Sequence, residues 1–309
     1  MVGNRRRSGE NRRVHSLGMV AARLHVSLLE PAALPAVIAL FDHEFIFSRG
    51  RTISLAQRFS DTFSSGDCFI AAGKLEDHLV SALAVRAFTW VDSDREWRGA
   101  MFGLVCTKPQ YRGRGYAAEL LATAEARCRA LGHDFAVLWA ANQAIYEGLG
   151  WIAADRGMLG TRRIASRNAA LERPVMREAT VPEIHDLHHT RVDPRVRRQF
   201  PNYWHLPLSA ERLRYFREGN SFAISGQLGR TGNVYELAAC GVDMPGLWDA
   251  LCSNFDELYV NVECDSESHR WLRAHTPLEW QAQALAMWKP LRPDPAPFRR
   301  WYIPFMDRI

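Results

Sequence analysis

The sequence predicts an α+β chain of two similar units, each a mixed, mostly antiparallel sheet flanked by helices, with the second unit degenerate. Three observations predict it. At 309 residues the chain is long for one domain and comfortable for two. Its 47% hydrophobic and 24% charged residues are ordinary for chains that bury cores. One order of strand and helix patterns runs through residues 19–172 and returns through 173–309, with little repetition of the residues themselves.

Residues 1–18 stand apart. Arg5, Arg6, Arg7, Arg12 and Arg13 against Glu10 place four of the five formal positive charges there, so the rest is close to neutral. The segment reads as a disordered basic tail without the apolar core of a signal peptide. A near-neutral body argues against nucleic-acid binding. No window approaches ~20 apolar residues, so no membrane helix is expected. The six cysteines form no C-x-x-C pair. They read as buried free thiols of a cytoplasmic protein, with no metal site.

From residue 19 the elements follow in order. His25 to Leu29 reads as a strand and Pro31 to Phe41 as a helix, with Leu34, Val37, Ile38 and Phe41 on one face. His43 to Arg51 mixes aromatic residues with Glu44, and a short helix follows near Ser54. Cys68 to Ala72 and Leu79 to Val91 read as paired strands. Asp92, Asp94 and Glu96 follow in a loop. They suit a cationic ligand, or are solvated loop charges.

The informative stretch is Met101 to Trp151. An apolar strand, Met101 to Cys106, runs into the turn Gln110-Tyr111-Arg112-Gly113-Arg114-Gly115. A helix follows with Ala117, Leu120, Leu121, Ala124, Cys128 and Leu131 on one face, and Gly132 stops it. Two glycines let backbone approach a ligand closely. The helix behind them aims free N–H groups and its positive dipole end at the same place. With Arg112 and Arg114 alongside, the turn fits a pyrophosphate. Two other readings stand on spacing alone: a common tight turn, and a loose dinucleotide fingerprint completed by Ala118. A strand, Phe135 to Trp139, and a short helix carrying Tyr146 come next.

The order of strand, Gln-x-x-Gly-x-Gly, amphipathic helix, strand, short helix and Tyr146-Glu-Gly-Leu-Gly-Trp151 resembles the GNAT superfamily of acyl-CoA N-acyltransferases, over roughly residues 25–160. One departure is plain. The usual Asn-x-x-Ala pair before the tyrosine is absent in that register, because Asn142 and Ala144 stand too close to Tyr146. The shortened LWAANQAIYEGLGW is similar to the enhanced-intracellular-survival type of acetyltransferase, which carries a second, degenerate GNAT domain.

The resemblance implies two GNAT-like domains, a catalytic one at 19–172 and a degenerate one at 173–309. It implies an N-acetyltransferase that moves an acetyl group from acetyl-CoA to the primary amine of a small molecule or peptide. Coenzyme A would lie against Gln110, Arg112, Gly113, Arg114, Gly115, Tyr116 and Ala117. Backbone N–H groups near Val105, Cys106 and Thr107 would steady the oxyanion. An alkylammonium near pKa ~10.4 must lose a proton to attack. The base is Glu44 or the terminal carboxylate of Ile309, and Tyr146 reprotonates the thiolate. Glu44 reads equally as a satisfied surface carboxylate, and Tyr146 as a core aromatic. No nucleic-acid or membrane partner is implied, and a homo-oligomer stays open. A non-catalytic acyl-CoA sensor is the alternative function, and an intact Tyr146 speaks against it.

Thr161 to Glu172 is polar and reads as a linker, after a strand at Ile152 to Gly160 that returns to the first core. In the second unit, Val175 to Ala179, Phe222 to Leu228, Val234 to Gly241, Glu257 to Glu263 and Trp280 to Leu291 read as strands. Pro182 to Thr190, Ser209 to Glu218, Met244 to Asn254 and Ser268 to His275 read as helices. Cys240 to Pro245 stands where the paired-glycine turn would be, and Asp243 would repel phosphate. His185 and His189 share a helix face but lack a third ligand. Trp301 to Ile309 is aromatic and apolar, so it is expected to dock, either near the acceptor site or on the second core.

Overall fold

The computed structural model describes residues 23–29, 34–64, 66–93, 95–164, 178–199, 205–293 and 297–309. The basic tail at 1–18, most of the linker at 161–172 and the start of the strand at Val175 to Ala179 lie outside them.

Two sheets form. The first is built from β1 (His25–Leu28), β2 (Cys68–Leu75), β3 (His78–Asp92), β4 (Arg95–Thr107), β5 (Phe135–Trp139) and the short β6 (Ile152–Ala153). The second uses β7 (Gly157–Arg163), β9 (Arg212–Glu218), β10 (Ser221–Leu228), β11 (Thr231–Ala238), β12 (Glu257–Glu263) and β13 (Glu279–Ala282), while β8 (Arg195–Val196) pairs with β3. The last strand, β14 (Ala286–Pro290), belongs to the first sheet, whose order is β1-β2-β3-β4-β5-β14-β6. The second sheet runs β13-β7-β12-β11-β10-β9. Pairing is antiparallel except for β4 with β5 and β11 with β12.

The helices are α1 (Leu34–Phe41), α2 (Leu55–Arg58), α3 (Ser60–Ser64), α4 (Tyr116–Ala130), α5 (Ala144–Glu147), α6 (Val181–Thr190), α7 (Met244–Asn254) and α8 (Glu267–His275). Apart from α3, which no pattern marked, they form where helices were expected. α4 buries Leu120, Leu121, Ala124 and Cys128, the expected stripe. α6 starts on a capping box between Thr180 and Glu183.

Three expectations are corrected. Ser209 to Glu218 is not a helix; Arg212–Glu218 is strand β9, antiparallel to β10 across Gly219 and Asn220. Its residues alternate: Leu213 and Tyr215 pack on one core and Phe216 on the other. The signals at Ser209 and Gly219 mislead, since Ser209 Oγ bonds the Tyr235 hydroxyl (2.6 Å) instead of capping a helix. Ile152 to Gly160 is two strands in different sheets, β6 and β7. Trp280 to Leu291 is likewise split, at Ala284 with φ 51°, between β13 of the second sheet and β14 of the first. The units therefore exchange strands: β7 lies between β12 and β13, and β14 between β5 and β6. Met158 packs on the second core, whereas Met287 and Trp288 are buried in the first.

The chain end docks as its composition predicts. The Trp301 ring lies 5.1 Å from both Trp90 and Phe135 and 5.8 Å from Trp97, and its Nε1 donates to Asp92 Oδ2 (3.1 Å). Phe305 stacks on Tyr235 of β11 at 5.2 Å. The segment thus packs on both sheets.

Candidate active site

β4 and β5 pair through Gly99–Met101 and Phe135–Val137 and then part. On its other edge β4 stays paired with β3, with an irregularity at Leu104, whose φ is 53°. Lys108 N–H donates to Val80 O of β3, so by strand alternation the main-chain groups of Val105 and Thr107 point the other way, into the gap. Thr107 O confirms this direction by accepting from Arg112 Nε (2.9 Å).

The gap opens on the glycine turn. Gly113 (φ 76°) and Gly115 (φ 82°) are left-handed, a conformation that favours glycine, and a Cβ at either would stand in open space. Gly115 caps α4 and its carbonyl takes the Ala118 N–H (2.9 Å), so the N–H groups of Tyr116 and Ala117 are left without a partner within the helix. The residues expected to hold a phosphate, Gln110 to Ala117, are therefore brought together as a backbone cradle with Arg112 and Arg114 beside it. Arg114 folds over Tyr111 and donates to Gln110 O (3.3 Å).

Glu44 lies next to this turn. Its Oε2 accepts from Arg112 Nη2 at 2.6 Å, and its Oε1 lies 3.1 Å from His43 Nδ1. Glu44, Phe45, Arg49, Val105, Thr107 and Arg112 line a cleft of about 600 Å³. Cys106, also on its wall, has its thiol pushed up to about 12, by burial first and the Glu44 charge second. It stays protonated at neutral pH.

Tyr146 sits on α5 and packs edge-on against Trp151 at 6.4 Å, within the core cluster that also holds Val105. Burial raises its phenol pKa above the ordinary value, which keeps the proton on oxygen at neutral pH.

The terminal residue reaches the same strand. A Cβ on Gly103 would lie 2.7 Å from the Ile309 main-chain O and 2.9 Å from its C, so the terminal carboxyl rests on the bare backbone beside Leu104. Ile309 packs with the apolar cluster that includes Phe45 and Cys106, two walls of the cleft.

A buried charge network fixes this end, and sequence reasoning missed it. Arg198 grips the Asp307 carboxylate through Nε (3.1 Å) and Nη2 (2.8 Å) and also pairs with Glu236 of β11. Arg86 of β3 donates to the Asp307 carbonyl. Burial pushes the Glu236 carboxyl up, but Arg198, His188 and Arg191 hold it well below the usual carboxylate range. No spacing marks these residues, because they come from four separate elements. Gly103 was legible only as a strand glycine.

Other singled-out residues fall elsewhere. Asp92 and Glu96 sit at the far end of β4 from Thr107, up to roughly 40 Å along a strand rising ~3.3 Å per residue. Asp92 holds Trp301, and Glu96 pairs with Arg197; Asp94 lies outside the described residues. In the second unit Asp243 binds Ser221 Oγ (2.7 Å) at the start of α7, where a phosphate turn would otherwise begin. His185 and His189 touch ring to ring at 4.5 Å. Among the described residues one group, Cys264, Asp265 and His269, brings donor atoms within 4.8 Å of one another, although His269 Nδ1 already accepts the Asp265 N–H (3.0 Å). All six cysteines are free thiols. No described helix is long and apolar enough to cross a membrane.

The family comparison matches residues 25–154 to the model of the acetyltransferase (GNAT) domain. This segment is a GNAT domain. Among solved structures, a GCN5-related N-acetyltransferase from Kribbella flavida superposes with a TM-score of 0.60 at 16% identity, over 87% of this chain and 71% of that one. Eis1 from Mycobacterium abscessus gives 0.60 at 13% identity, over 87% and 74%. A putative acetyltransferase from Pyrococcus horikoshii gives 0.56 at 12%, over 97% and 100%. At such identities the likeness is one of fold, and it extends beyond the GNAT domain across both sheets. No curated protein matches the sequence.

Proposed function

We propose that this chain is an N-acetyltransferase that moves an acetyl group from acetyl-CoA to a primary amine of a small molecule or peptide. The observation that carries the reading is the gap between β4 and β5, which ends at the Gly113–Gly115 cradle and has a carboxyl group, that of Ile309, on its wall strand. In this reading the pyrophosphate lies on the cradle and the start of α4, with Arg112 and Arg114 alongside. The pantetheine arm lies in the gap against the free edge of β4, and the N–H groups of Val105 and Thr107 face the thioester oxygen.

Transfer then follows from charge. The amine nitrogen attacks the thioester carbon, a C–N bond forms, and the oxyanion is held by main-chain N–H groups. As the nitrogen attacks, its protons become acidic, and the terminal carboxylate of Ile309 accepts one. Collapse breaks the C–S bond, and Tyr146 gives its proton to the departing thiolate. The proton taken up by Ile309 then replaces the one Tyr146 gave away, so the products are the N-acetyl amine and the free coenzyme A thiol; an acceptor that arrives as an ammonium first loses one proton to solvent. Both Glu44 oxygens are already engaged, by Arg112 and His43. We therefore assign the base to Ile309, and to Glu44 the orienting of Arg112 beside the cradle. The protonated Cys106 thiol is no nucleophile, which favours direct transfer over an acyl-enzyme.

The test is Gly113→Glu, which sets a carboxylate where phosphate belongs. A side chain at φ 76° in an open turn costs about 1–2 kcal/mol, which a chain of this size tolerates. Calorimetry should show acetyl-CoA affinity lost while the fold survives, and thiol release with a panel of amines should stop. Unchanged affinity would overturn the site.

A further inference from the structure

Tyr146 stands on a helix that does not hold itself in place. α5 is a single turn of four residues with none of them buried, and Ile145 beside the tyrosine is 56% exposed. A turn this short is marginal without outside support. It ends at Gly150, whose φ is 82°. There the Trp151 N–H donates to Tyr146 O (3.2 Å) and the Gly150 N–H to Glu147 O (2.9 Å), the paired bonds of a left-handed helix stop. The main chain of Tyr146 is thereby tied to Trp151.

The support comes from β14, the strand that returns from the second unit. Lys289 follows Met287 by two residues, so both side chains face the core that α4 covers. Lys289 Nζ donates to the Leu149 carbonyl, inside the helix stop, at 2.6 Å. It also meets Glu125 Oε2 of α4 at 2.7 Å, where Arg129 Nη2 approaches to 3.3 Å. The other Glu125 oxygen accepts from Trp151 Nε1 (3.1 Å). Glu125 is 4% exposed, so these charge-assisted bonds are largely sheltered from water. One ammonium therefore holds the backbone of the stop directly and, through Glu125, the ring on which Tyr146 packs. The start of α5 is tied to the same returning segment: Gln143 Nε2 donates to Ala284 O (2.8 Å), at the left-handed residue between β13 and β14.

We propose that Lys289 is a positioning residue for Tyr146, fixing where the phenol stands relative to the gap between β4 and β5. The proposal rests on the assignment of Tyr146 as the acid. It gives the exchange of β14 into the first sheet a catalytic consequence, since the GNAT domain's own residues 25–154 contain neither Ala284 nor Lys289.

Lys289→Met alone would leave Glu125 buried with Arg129 as its remaining counter-charge, which costs stability. The test therefore joins it to Glu125→Gln, whose amide oxygen still accepts from Trp151 Nε1 and which removes the buried charge. The paired variant, assayed well below its Tm, should show kcat lowered about 10- to 100-fold, the effect of displacing a reacting group by about 1 Å. Calorimetry should give an unchanged acetyl-CoA Kd. Amide hydrogen exchange should quicken over residues 143–151 and not elsewhere in the GNAT domain. Built into Tyr146→Phe, the pair should cause no further loss of kcat, because the group it positions is gone. A merely structural role would slow both backgrounds alike. Full turnover in the paired variant, a loss that adds to that of Tyr146→Phe, or unchanged exchange over 143–151 would each overturn the proposal. Full turnover in Tyr146→Phe by itself is a different result, and it would withdraw the acid assignment beneath the proposal.

Discussion

Adding one methyl group at Gly103 tests the placement of the chain end. In a strand, Gly→Ala ordinarily stabilises by about 0.5–1 kcal/mol, because glycine loses more freedom on folding. Here the new Cβ would stand 2.7 Å from the Ile309 O, 2.8 Å from its Cγ1 and 2.9 Å from its C. Ordinary contact needs about 3.4 Å or more between such atoms. The terminal residue must therefore retreat by several tenths of an ångström or more. It is also anchored two residues back by Arg198 and Arg86 on Asp307, so the strain is shared with a buried network. Overpacking of this kind costs roughly 1–3 kcal/mol, which reverses the usual sign. Misplacing a reacting group by about 1 Å costs up to 10²-fold in rate. Gly103→Ala should thus lower both Tm and kcat, the latter about 10- to 100-fold, with acetyl-CoA affinity little changed. The assay is thiol release under saturating acetyl-CoA, beside scanning calorimetry. Appending one glycine after Ile309 moves the carboxylate by about 3.3–3.6 Å and should reduce kcat further while sparing Tm. A Gly103→Ala protein with raised Tm and full turnover would refute the placement. Full turnover with the appended glycine would remove Ile309 as the base.

Two further outcomes follow from the same geometry. Tyr146→Phe keeps the packing against Trp151 and removes the acidic proton, so kcat should fall by roughly 10²–10⁴ with acetyl-CoA affinity unchanged; a fully active variant would leave thiolate protonation to water. His205, buried and stacked on Phe59 at 4.8 Å, has its pKa pushed down to about 3, by burial first and then by Arg86 and Arg198. Because the unfolded value is about 6.5, the unfolded chain takes up a proton first on acidification. The group's contribution is therefore intact above about pH 6.5 and is lost progressively as pH falls toward 3, by roughly 2 kcal/mol at pH 5. His205→Phe should flatten urea-measured stability between pH 7 and 5 by about that amount relative to the unaltered chain. Glu236 adds an acid-side loss of its own to both proteins and cancels in the comparison. An identical slope in the two would show that His205 protonates freely when folded.

Much of this protein is local in origin. The cradle was legible because Gly113, Gly115 and the stripe of α4 are neighbours in sequence, and backbone geometry at a strand–turn–helix junction depends on little else. α7 and β12 match their expected ranges for the same reason: period and capping act within a few residues. Tyr146 was found through its short motif. The strand β9 was missed because two capping-type residues flanked an alternating segment, and pairing with β10 then overrode them. Partnership is what periodicity leaves open. Alternation marks Gly157–Arg163 and Ala286–Pro290 as strands but carries no address, so the exchange of β7 and β14 between sheets was decided by which core could bury Met158, Met287 and Trp288. The grip of Arg198 on Asp307 and Glu236 and the seat of Ile309 on Gly103 have the same origin. They join residues far apart in the chain, and a buried charge is stable only where folding brings its counter-charge within hydrogen-bond reach. The sequence by itself determined the fold class and the glycine turn and singled out Tyr146; the tertiary structure alone decided which carboxyl group stands at the gap, because only the packed chain brings residue 309 to residue 103.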